Sequence, residues 1–171
     1  MVVGAEVDQC RFDGAKLPAA FERAVFKGTA FIACDLVNIN AAESSIIEST
    51  VSSSRMTSAS WVNGVIRDTE VESTRLDMVS FRFSILKSVK FIDCDLRHAD
   101  FQRAKLRNVE FVQCDLTGAQ FGSIEIHATR FRHCKLDAIS GVSSLRGVTV
   151  GQEELLSLAW SMAKELGINV T

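Results

Sequence analysis

The sequence predicts an all-β fold, a four-sided β-helix of about seven coils that is closed at its C-terminal end by an α-helix. Three observations predict it: large apolar residues recur every five positions, mostly small residues precede them by two, and the pattern becomes helical near the C-terminus. A period of five is neither that of a helix nor that of a simple strand. A chain that turns a corner every five residues accounts for it.

Phenylalanine marks the five-residue register. The residues that share it are Phe21, Phe26, Phe31, Phe81, Phe91, Phe101, Phe111, Phe121 and Phe131. Steps of five from Phe21 to Leu136 reach 24 positions, and all except Ala41 are Phe, Leu, Ile, Val, Met or Trp. These centres and the residues two positions earlier are predicted to point inward, because alternate residues of an extended chain face the same way. The smaller inward residue leaves room for the larger one.

Four such sides make one coil, so equivalent residues should recur every 20 positions. The segments Phe31–Leu36, Phe91–Leu96, Phe111–Leu116 and Phe131–Leu136 show this longer repeat, each with a cysteine in its fourth position. Stacked coils also place the undersized centre Ala41 beside the oversized Trp61, a compensation in volume that close packing favours. At about 4.8 Å per coil, the coils would make a rod about 34 Å long.

The two ends of the chain depart from this register. A four-residue step at Pro18 displaces the first coil, which has a shortened corner. To that coil we assign Val2, Val7, Phe12 and Leu17. Residues 41–75 keep the register, but Ser and Thr are frequent at their inner positions. The predicted domains are residues 1–140, the β-helix, and residues 141–171, a connector and a C-terminal helix for capping and dimerisation.

From about residue 152 to residue 166 the apolar residues follow a helical period. Gly151 or Thr149 suits the start of this helix, and Gly167 suits its left-handed end. Its two apolar stripes, about 100° apart, are Leu155, Ala159, Met162 and Leu166, and Leu156, Trp160 and Ala163. One stripe is expected to cover the open end of the last coil, as solenoid ends require, and the other to be exposed.

An exposed apolar stripe at one end of the rod predicts a twofold homodimer joined at the C-termini. A second copy of the chain would remove this surface from water. The predicted contact residues are Leu156, Trp160, Ile168 and Val170.

The five-residue repeat resembles that of the pentapeptide-repeat family, whose pattern is roughly Ala, then Asp or Asn, then Leu, then two variable residues. The segments Cys94-Asp95-Leu96, Ala99-Asp100-Phe101 and Cys114-Asp115-Leu116 match it, and the resemblance covers about residues 5–140. It implies a right-handed quadrilateral β-helix and a protein that is not an enzyme.

One branch of that family, the mycobacterial fluoroquinolone-resistance protein and the Qnr-type proteins, consists of dimers that bind type II topoisomerases. Their shape and, in the mycobacterial case, their acidity are held to mimic duplex DNA. The resemblance thus implies an alternative function, a DNA-mimicking modulator of DNA gyrase that protects it from quinolone-type inhibitors. The outward charges argue against it, because every side mixes both signs where phosphate mimicry needs unbroken acidity. The inserted loops of Qnr-type proteins are also lacking.

Outward apolar residues favour another class of function, a non-catalytic scaffold that binds other proteins on the solenoid surface. Apart from Phe12, Phe83 is the only phenylalanine outside the inward register. The candidate interaction patch consists of Ile47, Val62, Val65, Phe83 and Ile85. Clustered aromatic and branched aliphatic residues are typical of protein-binding surfaces. The alternative is that these are ordinary surface residues, partly folded inward at the corners.

No catalytic, cofactor-binding or metal-binding residues are predicted. One inward column contains Cys34, Cys94, Cys114 and Cys134. Thiols on one straight line cannot surround a metal ion tetrahedrally, so we expect these cysteines to be reduced, buried and metal-free. The three histidines are scattered over outward positions with no nucleophile or acid at a repeated spacing. The sequence has no glycine-rich phosphate loop, zinc spacing or nucleophile elbow.

The composition limits which partners and which cellular compartment are expected. The chain has 19 basic and 21 acidic residues, a net charge of −2, which gives no whole-chain attraction to nucleic acid or membrane. No apolar stretch approaches the roughly 20 residues that span a bilayer, and a secretory signal is not indicated. Five cysteines without paired short spacings suit a reducing cytosol. We expect a cytoplasmic protein that binds neither nucleic acid nor membrane directly.

Overall fold

The computed structural model describes residues 2–169, which form a quadrilateral β-helix of about seven coils with one α-helix at the C-terminal end. The strands are β1 Val2–Val3, β2 Glu6–Asp8, β3 Arg11–Asp13, β4 Phe21–Glu22, β5 Val25–Lys27, β6 Ala30–Ile32, β7 Ser45–Ile47, β8 Thr50–Ser52, β9 Val65–Glu72, β10 Ile85–Ile92, β11 Lys105–Val112, β12 Glu125–His127 and β13 Arg130–Arg132. Short 3-10 helices at Val142–Ser144 and Gln152–Glu154 precede α1, Leu155–Glu165. The predicted fold class is confirmed.

Successive coils pair as parallel strands, and the register follows the predicted repeat. Phe91 of β10 lies opposite Val71 of β9 and Phe111 of β11, an offset of 20 residues on each side. In the first coil the offset is 19 residues, so that Phe12 lies opposite Phe31. The shortened first corner is therefore confirmed.

Two kinds of corner bend each coil. At two of the four corners a backbone N–H donates a hydrogen bond to the carbonyl oxygen three residues earlier. The Ala99 N–H donates in this way to the Leu96 carbonyl at 3.0 Å. The other two corners are bends in an extended chain, and several lie within β9, β10 and β11. Corner residues of both kinds have left-handed backbones, including non-glycine residues such as Phe83 and Arg103, each with φ of 59°. This backbone repeats from coil to coil, so corner side chains also stack in columns.

The core consists of the predicted centres and the smaller inward residues. From Phe21 onward all the centres are buried except Ile126, which is half-buried. Ring centroids in one column lie 5.1 Å apart between Phe91 and Phe111 and 4.9 Å apart between Phe111 and Phe131. Offset stacking of this kind adds to the stabilisation from burial alone.

The Ser- and Thr-rich inner positions of residues 41–75 are satisfied by hydrogen bonds between coils. Ser44 Oγ accepts the backbone N–H of Ala24 at 3.0 Å, and Ser54 Oγ accepts that of Cys34 at 3.0 Å. A hydroxyl that lies inside the coil costs little when it is bonded in this way. This explains how the weaker segment keeps its register.

The helix α1 packs against the last coil through a face that differs from both predicted stripes. Glu154 and Ser161 are buried and Leu158 is half-buried. The large residues of both apolar stripes are exposed, namely Leu155, Leu156, Trp160, Met162 and Leu166. The expectation that one of these stripes covers the coil was therefore wrong.

Polar anchors set the orientation of this helix. Glu154 follows Cys134 by 20 residues, and its Oε1 accepts the backbone N–H of Cys134 at 2.9 Å, in the manner of an inner residue of a further coil. At the other end, the carboxylate of Glu165 accepts the N–H groups of Val142 at 2.7 Å and Ser143 at 3.2 Å. With both ends fixed, the large residues of both apolar stripes remain exposed. None of the helices within residues 2–169 has the length and hydropathy needed to cross a membrane.

Candidate protein-interaction surfaces

The most exposed aromatic ring of the β-helix belongs to Phe83, whose relative exposure is 41%. It is at a corner of the fifth coil, where the left-handed backbone turns the side chain outward. The guanidinium carbons of Arg82 and Arg103 each lie 5.6 Å from the centroid of the ring. Arg82 is also 3.7 Å from the carboxylate of Asp100. The exposed ring therefore makes cation–π contacts with both arginines.

Two aliphatic residues of the predicted patch extend this surface. Ile85 follows Phe83 by two residues and lies opposite Val65 in the register of β9 and β10. Ile85 is exposed and Val65 is half-buried. We refer to Val65, Phe83 and Ile85 as the apolar patch.

The other two predicted patch residues lie at its margins. Ile47 is half-buried on β7 and lies opposite Arg67, among charged residues. Val62 is half-buried and precedes the corner at Asn63, on the neighbouring side of the coil. The patch is therefore smaller than the sequence indicates.

Basic residues lie along two edges of the apolar patch. They are Arg67, Lys87, Arg103, Lys105 and Arg107, and we call them the cationic border. Lys87 lies opposite Arg67 and Arg107, and Ile85 lies opposite Lys105. The available signal was the 20-residue spacing, because Arg103 follows Phe83 by 20 positions.

Some acidic residues on other parts of the rod are paired with cations. The Arg97 and Asp95 side chains form an ion pair at 2.6 Å, as do Lys135 and Asp115 at 3.5 Å. The hydrogen bond from Arg97 lowers the pKa of Asp95 below its usual value. Paired carboxylates of this kind do not reproduce the unbroken negative charge of a DNA backbone.

The cysteine column lies inside the rod as predicted. Cys34, Cys94, Cys114 and Cys134 are buried and, like the exposed Cys10, are not in disulfides. Hydrogen bonds with the Cys134 and Cys94 thiols, together with burial, raise the pKa of Cys114. A protonated thiol is a poor nucleophile and a poor metal ligand. Within the part of the chain that the structure describes, no group of three or more His, Cys, Asp or Glu residues is arranged to hold a metal ion.

We expect only Cys10 to react rapidly with a thiol reagent in the native protein, because the other four cysteines are buried. The remaining four should react after denaturation, and elemental analysis should find no stoichiometric zinc. Two or more rapidly reacting thiols, or loss of structure on chelation, would contradict this prediction.

A second apolar surface lies at the C-terminal end of the rod. The exposed large residues there are Leu155, Leu156, Trp160, Met162, Leu166 and Ile168. Of the predicted dimer contacts, Leu156, Trp160 and Ile168 are thus exposed, and Val170 lies outside the described residues. Contiguous apolar surface of this kind is typical of interfaces rather than of ordinary surface.

The repeat also matches a known family model and several solved structures. Residues 72–140 match the model of the pentapeptide repeat region. Trypsin-treated QnrB1, a plasmid-mediated fluoroquinolone resistance protein, is 18% identical over 98% of this chain and 100% of its own, with a TM-score of 0.42. A pentapeptide repeat protein from the cyanobacterium Cyanothece 51142 is 11% identical over 85% and 91%, with a TM-score of 0.30. HetL from Nostoc sp. strain PCC 7120, involved in heterocyst differentiation regulation, is 10% identical over 80% and 89%, with a TM-score of 0.21.

No curated protein matches the sequence. The matched family region spans coils that stack with a 20-residue offset and carry the inward Phe and Leu columns. The repeat in the sequence, the quadrilateral β-helix and the match of residues 72–140 agree with one another. Residues 72–140 of the chain are therefore a pentapeptide repeat region.

Proposed function

We propose that this chain is a non-catalytic binding protein that recruits another protein through the apolar patch and the cationic border. Pentapeptide-repeat proteins are generally binding or structural proteins. The observation that carries the proposal is Phe83, an exposed ring in contact with two guanidinium groups and beside the exposed Ile85. Protein interfaces are enriched in aromatic residues and arginine, with an apolar centre and a polar rim.

The rod supports this function because the surface is rigid before a partner arrives. Val65, Ile85 and Lys105 are on three neighbouring parallel strands, and their backbones are hydrogen-bonded in register. A surface that is already ordered loses little conformational entropy on binding. The affinity of such a surface therefore depends on the side chains that it presents.

Site-specific photo-crosslinking in the native host tests the proposal. A benzophenone amino acid would replace Phe83 in one variant and, as a matched control, Met78 in another. Met78 is also an apolar corner residue with a left-handed backbone, and its relative exposure is 53%. We expect one discrete protein to be crosslinked from position 83 and not from position 78.

The crosslinked protein must then bind in purified form. We expect Phe83→Ala combined with Ile85→Ala to weaken its affinity about tenfold or more, as loss of a hot spot does. Equal crosslinking from both positions, or unchanged affinity in the double variant, would overturn the proposal.

We also propose that the protein is a homodimer joined through α1. Two exposed apolar stripes, rather than the single one expected, increase the surface that a second copy would cover. Twofold pairing of one end buries the same patch on both copies.

The cytosol is the compartment that we propose for this protein. All five cysteines are free, and four of them are stacked in one column. A reducing compartment keeps such thiols as thiols.

The alternative function is modulation of a type II topoisomerase by DNA mimicry. A straight rod, doubled in length by pairing through α1, favours it, whereas the paired carboxylates count against it. The discriminating assay is DNA gyrase supercoiling with and without a fluoroquinolone. Inhibition of gyrase or protection from the drug at micromolar protein would select this alternative, and no effect would reject it.

A further inference from the structure

The residues around the apolar patch form a regular grid that indicates the chemistry of its partner. Three consecutive coils each contribute three outward residues in the same register. The rows are Asn63, Val65 and Arg67, then Phe83, Ile85 and Lys87, then Arg103, Lys105 and Arg107. Rows are about 4.8 Å apart, and the second and third residues of each row, which lie on one strand, are separated by about 6.5–7 Å. The first residue of each row lies at the corner that precedes the strand.

Charge is distributed unevenly over this grid. Phe83, Ile85 and Val65 occupy one corner of it, and the five basic residues form two adjoining edges. An apolar anchor and several cations are therefore available to a single short ligand.

Three of the five cations are not neutralised by the chain itself. Arg67 pairs with Asp68 at 3.2 Å, and Lys105 pairs with Glu125 at 3.2 Å. Lys87, Arg103 and Arg107 form no ion pair with any residue in the range 2–169. Carboxylates placed opposite these groups would gain charge-assisted hydrogen bonds, which a neutral partner would not supply.

We infer that this grid binds a short acidic segment of a partner protein in an extended conformation. The inference rests on the proposed function and specifies the partner's chemistry. Alternate side chains of an extended segment recur at about 6.5–7 Å, the spacing expected for Lys105 and Arg107 on β11. Arg103 lies at the corner just before them. Carboxylates at alternate positions would meet this row, and a neighbouring apolar side chain would contact Phe83 and Ile85.

A nucleic acid fits this surface less well than an acidic polypeptide does. Asp68 and Glu125 lie at the edges of the cationic border, and Glu70 and Glu110 are outward residues further along β9 and β11. A continuous phosphate chain would run close to these carboxylates, whereas its binding depends on many uninterrupted cationic contacts. A short segment with a few carboxylates avoids them.

Fluorescence anisotropy with a synthetic probe tests the inference. The probe is a labelled peptide of about ten residues with Glu at alternate positions and Phe and Leu at its centre. We expect saturable binding to the full chain, weakened about tenfold or more by Lys87→Glu with Arg107→Glu and about fivefold by Phe83→Ala. The same peptide with Gln in place of Glu should bind about tenfold more weakly or worse.

The matched control is Arg75→Glu with Arg132→Glu, two exposed arginines outside the grid whose reversal changes the net charge equally. It should keep affinity within about twofold of wild type. Circular dichroism would verify that every variant is folded.

Several results would overturn the inference. The inference fails if the peptide shows no saturable binding up to about 1 mM, or if the control variant weakens peptide binding equally. It also fails if a single-stranded oligonucleotide binds the same grid more tightly than the peptide does. If crosslinking from position 83 identifies a partner while the Glu and Gln peptides bind equally, acidic recognition fails and the proposed binding function stands.

Discussion

Replacement of Phe101 by alanine is expected to lower the free energy of unfolding by about 3–5 kcal/mol, the range for large-to-small core substitutions. Phe101 is 0% exposed, and its ring lies 5.3 Å from that of Phe81 and 5.2 Å from that of Phe121. Backbone hydrogen bonds to the coils on both sides hold these neighbours in place, so the cavity cannot collapse. Urea denaturation followed by circular dichroism would measure the loss.

Phe83→Ala is the matched control for this substitution, because the same atoms are removed from an exposed corner. We expect its cost to stay below about 1 kcal/mol, since only weak cation–π contacts are lost at an exposed site. Similar losses in the two variants would show that the inward and outward assignments are wrong.

Leu156→Glu combined with Trp160→Glu is expected to convert a homodimer into a monomer. Leu156 is 70% exposed and Trp160 is 53% exposed within one chain. Two carboxylates at each copy's contact would be brought together across the twofold axis and away from water, which opposes association. Light scattering should change from twice 18.8 kDa to 18.8 kDa.

A matched control places glutamate at Val37 and Met78, two exposed apolar residues of the β-helix far from α1 in the sequence. This variant should remain dimeric. The dimer proposal fails if the wild-type chain is an 18.8 kDa monomer across micromolar concentrations, or if the dimer survives the Leu156 and Trp160 substitutions.

The β-helix could be predicted because its core pattern is local and repeats in every coil. Each centre lies five residues from the next, so Phe101 and Leu106 reveal the same geometry as Phe21 and Phe26. The irregular first corner was also visible in the sequence, as a four-residue step. This step produces the 19-residue offset between Phe12 and Phe31.

The orientation of α1 could not be predicted from its apolar stripes. Hydrophobicity suggested that one stripe covers the coil, whereas the carboxylates of Glu154 and Glu165 determine which face is buried. The clue was positional, because Glu154 is 20 residues after Cys134 and continues its column.

The candidate site was predicted in part for a similar reason. Outward apolar residues identified Phe83 and Ile85, but charges summed over a whole side do not show that Arg103 stacks next to Phe83 at the same corner. Contacts between corner residues of adjacent coils depend on stacking that a count along each side does not capture.

The hydrogen bonds between coils run along the rod, as that from the Phe101 N–H to the Gln120 carbonyl at 2.9 Å does. Tension applied to the two ends therefore loads these bonds a few at a time, as in peeling, and not all together, as in shear. Each detached coil would release about 65–70 Å of chain, beginning at an end. The fifth coil, which carries Phe83, is in the interior of the rod, so under load the binding surface would outlast the terminal coils.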